Sequence, residues 1–129
     1  MTAFSNYAEN LVLDWVFTNG AATRPTAWYV SLHTASPTET GSVGELSGNG
    51  YSRQSVSFNA AASGATDNSG TLTFGPNTGS NWGTVTDVAV WDASTTGNCL
   101  AYGSLSSSVT INVGDSLVIS SGNLDITLD

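Results

Sequence analysis

The chain's candidates for a nucleophile, a base and an acid pair lie mostly between positions 31 and 53. The stretch HTASPTETGSVGELSGNGYSR, from His33 to Arg53, holds the only histidine, one of the two cationic residues, Glu39, Glu45 and many hydroxyls. A nucleophilic pairing would set Ser31 or Ser36 against His33, and a glycoside-hydrolysing pair would use Glu39 with Glu45. Neither arrangement is favoured. Ser31 and His33 are same-face neighbours on a strand, roughly 6.5–7 Å apart along it, and no strained nucleophile elbow surrounds either serine. The two glutamates share only a flexible loop, a poor base for a preorganised pair. GSVGELSGNG is glycine-rich, yet it lacks the G-x-x-x-x-G-K pattern, a following helix and any lysine to meet a phosphate. The expectation is a protein that is not an enzyme.

The remaining reactive residues lead the same way. Cys99 is the sole cysteine, so no internal disulfide is available, and its place in an apolar run predicts a small buried hydrophobe. A nucleophilic thiol would need a base or positive charge that nothing nearby in sequence supplies. A lone histidine and a distant lone cysteine do not build a zinc site. Asp92 with Ser94 and Thr96, or Asp67 with Asn68, offers hard oxygen ligands for calcium, but neither has the spaced acids of a calcium loop. Turns capped by their own Asx side chains are expected there, and no cofactor or metal.

Contact surfaces then become the candidates. Trp82 sits in GSNWGT, where no strand pattern requires its burial. Two readings stay open: an exposed platform at an interface or under a sugar, or a plug folded back into one end of the fold. Arg53 pairs with an acid either of its own chain or across an interface. Tyr51 and Arg53 are expected to fix the base of the long loop, with Glu45 and Trp15 as further contact candidates.

These residues need a scaffold, and the pattern of the chain supplies one. A single helix is predicted over about 6–19, capped by Asn6 with Glu9 three residues on. Ala8, Leu11, Val12 and Trp15 recur along it at helical spacing, and Asn19-Gly20 ends it. That apolar stripe either covers an open end of the fold or is buried by a partner subunit. Strands are predicted from about 27 to 128. In AWYVSLHT, Trp28, Val30 and Leu32 share one face, leaving Tyr29, Ser31 and His33 on a wetter one. Val56 and Phe58, Leu72 and Phe74, Val109, Ile111 and Val113, and Leu124, Ile126 and Leu128 show the same alternation of half-buried strands. Val88 to Trp91 is continuously apolar, as in a central strand covered on both sides, and LVI at 117–119 reads similarly. Glycine-rich turns separate the segments. The fold class is all-β: an antiparallel, jelly-roll-like β-sandwich of about eight strands with one N-terminal α-helix, forming a single domain over 1–129. The loop of some sixteen residues after Thr34 is the exception, being of a length usually reserved for function.

Composition excludes several partners. At 129 residues the chain is long enough to bury roughly 65–70% of its unfolded surface in one core. Charged residues make up only 9%, with Arg24 and Arg53 the only cations and a net charge of −8. Such a surface repels phosphate, which argues against nucleic acid and anionic membrane. No segment approaches the roughly 20 apolar residues of a membrane span, and no basic leader precedes an apolar run, so a mature, untargeted product is expected.

Three segments carry a resemblance: LHTASPTETGSVGELSGNGYSRQSVSF, WGTVTDVAVWDASTTGNCLAYGSL and INVGDSLVISSGNLDITLD. With their LHT-x-x-P, Y-x-R-Q and L-x-I-T-L patterns, they resemble small structural proteins of tailed bacteriophages. Members are labelled tail-fibre-like, and related β-sandwich proteins are capsid decoration, or cement, proteins. The resemblance spans nearly the whole chain and carries no catalytic residue across. Cys99 departs from it, standing where relatives have an aliphatic residue. It implies a virion protein, made in the host cytoplasm, and is compatible with homotrimers. The leading expectation is a homotrimeric cement protein on the capsid exterior, bridging copies of the major capsid protein, with the 33–53 loop reaching to a neighbouring chain. The alternative is a tail-fibre or tailspike module that reads host surface glycan by stacking sugar on Trp82 or Tyr51.

Overall fold

A computed structural model describes residues 3–128. Its elements in chain order are β1 (Ala3–Phe4), α1 (Asn6–Phe17), β2 (Tyr29–His33), β3 (Gln54–Ser55), β4 (Ala65–Asp67), β5 (Leu72–Phe74), β6 (Gly83–Trp91), β7 (Cys99–Ile111), β8 (Leu117–Ile119) and β9 (Asp125–Thr127). All strand pairs are antiparallel. Among the described residues, nine strands form a five-stranded sheet in the order β1-β7-β6-β2-β3 and two ribbons, β4-β9 and β5-β8. The fold is therefore the expected all-β antiparallel sandwich with one helix, with a short extra strand ahead of that helix.

The alternation along β2 and β6 explains the layering. Val30, Leu32, Val85, Val88 and Val90 leave one face of the large sheet and meet Leu72, Phe74, Leu117, Ile119 and Leu124 from the ribbon side, closing the main core. Ala89, Trp91 and Cys99 leave the opposite face and form a second cluster. Both faces are thus covered, which is why Val88–Trp91 is buried throughout.

Several expectations are corrected here. The N-cap is Ser5, not Asn6: Ser5 is extended at φ −72°, ψ 158°, and its Oγ accepts from the Ala8 N–H. The same hydroxyl donates to the Cys99 carbonyl, tying the helix start to β7. The helix stops at Phe17, where the Thr18 hydroxyl donates to the Asp14 carbonyl and carboxylate. Val118 is 55% exposed because β8 pairs only with β5, leaving one face of a two-stranded ribbon open. Of Val109, Ile111 and Val113 only Ile111 is buried; Val113 lies past the end of β7, in a turn.

Candidate functional site

His33 is the largest correction. It is fully buried, as is Ser31, and neither lies on a wetter face. The long loop folds back over them: Glu45 pairs with His33 across a bridge, Thr34 N–H donates to the Gly44 carbonyl, and Leu46 N–H donates to the Leu32 carbonyl. The imidazole leans along the strand until Nε2 lies 2.7 Å from Ser31 Oγ, so backbone spacing was a poor guide to side-chain reach.

The proton positions follow from the partners. His33 Nδ1 lies 2.6 Å from the Val43 carbonyl, which can only accept. Nδ1 therefore carries the hydrogen, Nε2 accepts, and Ser31 donates to it. Trp91 Nε1 donates in turn to Ser31 Oγ over 2.8 Å. Trp91 reaches that hydroxyl because it stands two residues along β6, on the same face, from Ala89, the partner of Ser31. Burial holds the imidazole below its usual 6.5, against the opposing pull of the Val43 carbonyl and Glu45. In this chain of bonds the serine oxygen is closed off from solvent and the far ring nitrogen faces a carbonyl where a hydrolase would carry a carboxylate. The arrangement holds the loop down; it offers no hydroxyl to a substrate.

Arg53 completes a clamp on the other side of Trp91. Its Nε and Nη2 donate to the two oxygens of Glu45 at 2.8 and 2.9 Å, and Nη1 donates to the Ala93 and Thr96 carbonyls at 3.0 and 2.9 Å. The guanidinium lies 3.8 Å over the Trp91 ring and its side chain is only 6% exposed. Burial works to raise the Glu45 carboxyl, but the hydrogen bonds and charge of Arg53 prevail and hold it low. Tyr51 donates its hydroxyl to Glu45 and accepts from Leu32 N–H. Its ring stacks on Phe74 and meets Trp82 edge-on at a centroid distance of 5.8 Å.

Trp82 takes the second of the two readings left open for it. It is buried, donates Nε1–H to the Asn49 carbonyl and plugs one end of the core. As a platform for sugar it is out of reach, and Tyr51 is wedged between it and Phe74. Glu39, considered with Glu45 as an acid pair, instead accepts from Asn6 N–H and Tyr102 Oη–H, both at 2.8 Å, and fixes the loop to the helix start. The 33–53 loop is thus anchored to its own chain at His33, Glu39, Glu45, Tyr51 and Arg53, with residues such as Thr40, Val43 and Ser47 left exposed. Asp92 accepts from the Asn98 backbone and side chain across a turn, and Asp67, which lies at the end of β4 and not in the expected turn, accepts from Asn59. Cys99 is buried, and burial pushes its thiol up to about 11.

What remains outward is α1. Trp15 is 74% and Phe17 77% exposed, with Leu13 and Val16 about half exposed. Only Ala8 of the helix is buried, and α1 packs against β1 and β7. Leu11, Val12 and Trp15 line an apolar groove of about 150 Å³ with Ala22 and Arg24. Of the five contact candidates, Glu45, Tyr51 and Arg53 come together in the clamp, Trp82 abuts it through Tyr51, and Trp15 stands apart on this surface.

Sequence reasoning missed Ser5 as the cap and Trp91 as a bonding partner, and it considered Glu39 and Asn68 for other roles than the structural ones they take. Asn6-x-x-Glu9 imitates a capping box and hid the serine before it. Asn68 is fully buried and bonds Gly70, Ser120 and Leu124, a role no periodic pattern marks. Among the described residues no helix is long and apolar enough to cross a membrane.

A comparison with curated proteins finds no match. A family model described as "Podophage GP4 fiber I protein gp80" matches residues 3–127, taking in the helix and every strand. The chain belongs to that family of phage virion proteins.

Proposed function

We propose that the protein is a non-enzymatic structural component of a phage tail fibre, a stiff sandwich that joins its neighbours through α1. The observation that carries this reading is the family match over residues 3–127, since it covers the sandwich and its helix as one unit. The clamp supports it: the residues best suited to catalysis or to charged ligands are used to hold the long loop against the sheet. The exposed helix supports it too, because apolar residues on an outward face favour contact with another protein surface. The capsid-exterior role expected from resemblance needs the same sandwich, but the family's description favours the fibre. Decoration of purified virions with gold-labelled antibody to the protein tests the choice. Label confined to the tail appendages is the expected result. Label spread over the icosahedral faces would overturn the fibre role in favour of a capsid cement.

A further inference from the structure

The dipeptide Asn-Gly occurs twice in the chain, at Asn19-Gly20 and Asn49-Gly50, and both copies are exposed. Such a pair can react with itself. The side-chain amide carbon of the asparagine lies within reach of the next backbone nitrogen, and glycine puts no Cβ in the way.

The fold treats the two copies differently. Asn19-Gly20 follows the end of α1, and the Asn19 side chain forms no hydrogen bond among the described residues. Gly20 N–H donates to Thr18 Oγ1 over 2.9 Å, and Thr18 Oγ1 donates to Asp14 Oδ1 over 3.0 Å. The nitrogen that would attack therefore heads a relay ending on a carboxylate, the arrangement by which a base takes up a proton through a hydroxyl. Asn49-Gly50 is locked instead. The Asn49 carbonyl accepts from Thr78 N–H at 2.9 Å and from Trp82 Nε1–H at 3.1 Å, which fastens this turn to the plug of the core. The Asn49 side-chain amide donates to Ser80 and is pressed so close to Gly79 that a Cβ there would lie 2.0 Å from its Oδ1. Turning that amide onto Gly50 N means giving up these contacts.

We propose that Asn19 is a site of self-modification, in which the Asp14–Thr18 pair draws the proton from Gly20 N–H as that nitrogen closes on the Asn19 side chain. The nitrogen lone pair bonds to Asn19 Cγ, the Cγ–Nδ2 bond breaks, and Nδ2 leaves as ammonia with the relayed proton. Solvent water then opens the resulting five-membered imide at either carbonyl, giving aspartate or isoaspartate. No oxidant or reductant is needed. The new carboxylate stands just past the end of α1, where the helix dipole is already negative and the last turn holds no basic residue, so it loosens the turn that carries Phe17.

Peptide mapping by mass spectrometry on the full chain, held for weeks in neutral buffer, tests this. Asn19 should gain one mass unit, with isoaspartate among the products, while Asn49 in the same folded sample stays intact. Thr18→Val, which keeps the shape and removes the hydroxyl, should slow the change at Asn19 about tenfold, and Asp14→Asn should do likewise. In concentrated guanidinium chloride the relay and the Trp82 anchor are both lost, so the two sites should converge on one rate. An unmodified Asn19, folded-state change at Asn49 as fast as at Asn19, or wild-type rates at Asn19 in Thr18→Val would overturn the inference.

Discussion

Replacing Arg53 with alanine gives the most exacting test of the clamp. The change removes two donors to Glu45, two donors to backbone carbonyls and the stack over Trp91, all from a side chain 6% exposed. The Thr96 carbonyl is near solvent, so water replaces that bond at little cost. Losing the bond to the Ala93 carbonyl costs about 1 kcal/mol, losing the stack on Trp91 costs about 1 kcal/mol, and leaving Glu45 partly buried without its cation costs about 1–2 kcal/mol. The total is about 3–4 kcal/mol, measured as a drop in urea midpoint at unchanged slope. Arg53→Lys keeps the charge but not the fork and should lose about half as much. Acid supplies an internal control. Glu45 is held low in the folded state, so its stabilising share is present above its ordinary 4.5 and is lost as pH falls through the depressed folded value. The gap between wild type and Arg53→Ala should therefore narrow in that window. A loss under about 1 kcal/mol at neutral pH, or a gap that ignores acid, would refute the clamp as a source of stability.

Two further outcomes follow from the same region. His33 is held below its usual 6.5, so the unfolded chain takes up its proton first, and stability should fall as pH drops below about 6.5. Urea titrations of wild type and His33→Gln from about pH 7 to about pH 5 should show that this slope belongs to the wild type alone. Gly41 has φ +70°, and a Cβ there would lie 2.5 Å from the Trp91 ring. Gly41→Ala should cost about 2–4 kcal/mol and shift Trp91 fluorescence as the loop lifts, read by thermal and spectroscopic unfolding.

The all-β class of this protein is legible in local pattern. Period-two alternation in β2, the continuous apolar run of β6 and the glycine turns dictate short strands joined by tight turns, because side chains in a strand can only alternate faces. The scarcity of cations likewise follows from composition alone. Which polar residues would be interior was decided only by tertiary structure. His33, Ser31 and Glu45 look like a reactive cluster in one dimension, but His33 and Ser31 are buried and Glu45 half-buried because sixteen residues of loop fold back across β2, a long-range return that leaves no local signature. Trp82 turns inward for a similar reason: the core has an open end that its ring fills, with Asn49 on a distant turn to accept its N–H. The reverse holds for α1. Its apolar spacing was legible and predicted a buried face, but only the three-dimensional arrangement, which buries Ala8 alone of the helix, leaves Leu13, Trp15 and Phe17 on the outside. Periodicity fixes which side chains point together; what they point at is set by contacts between residues far apart in the chain.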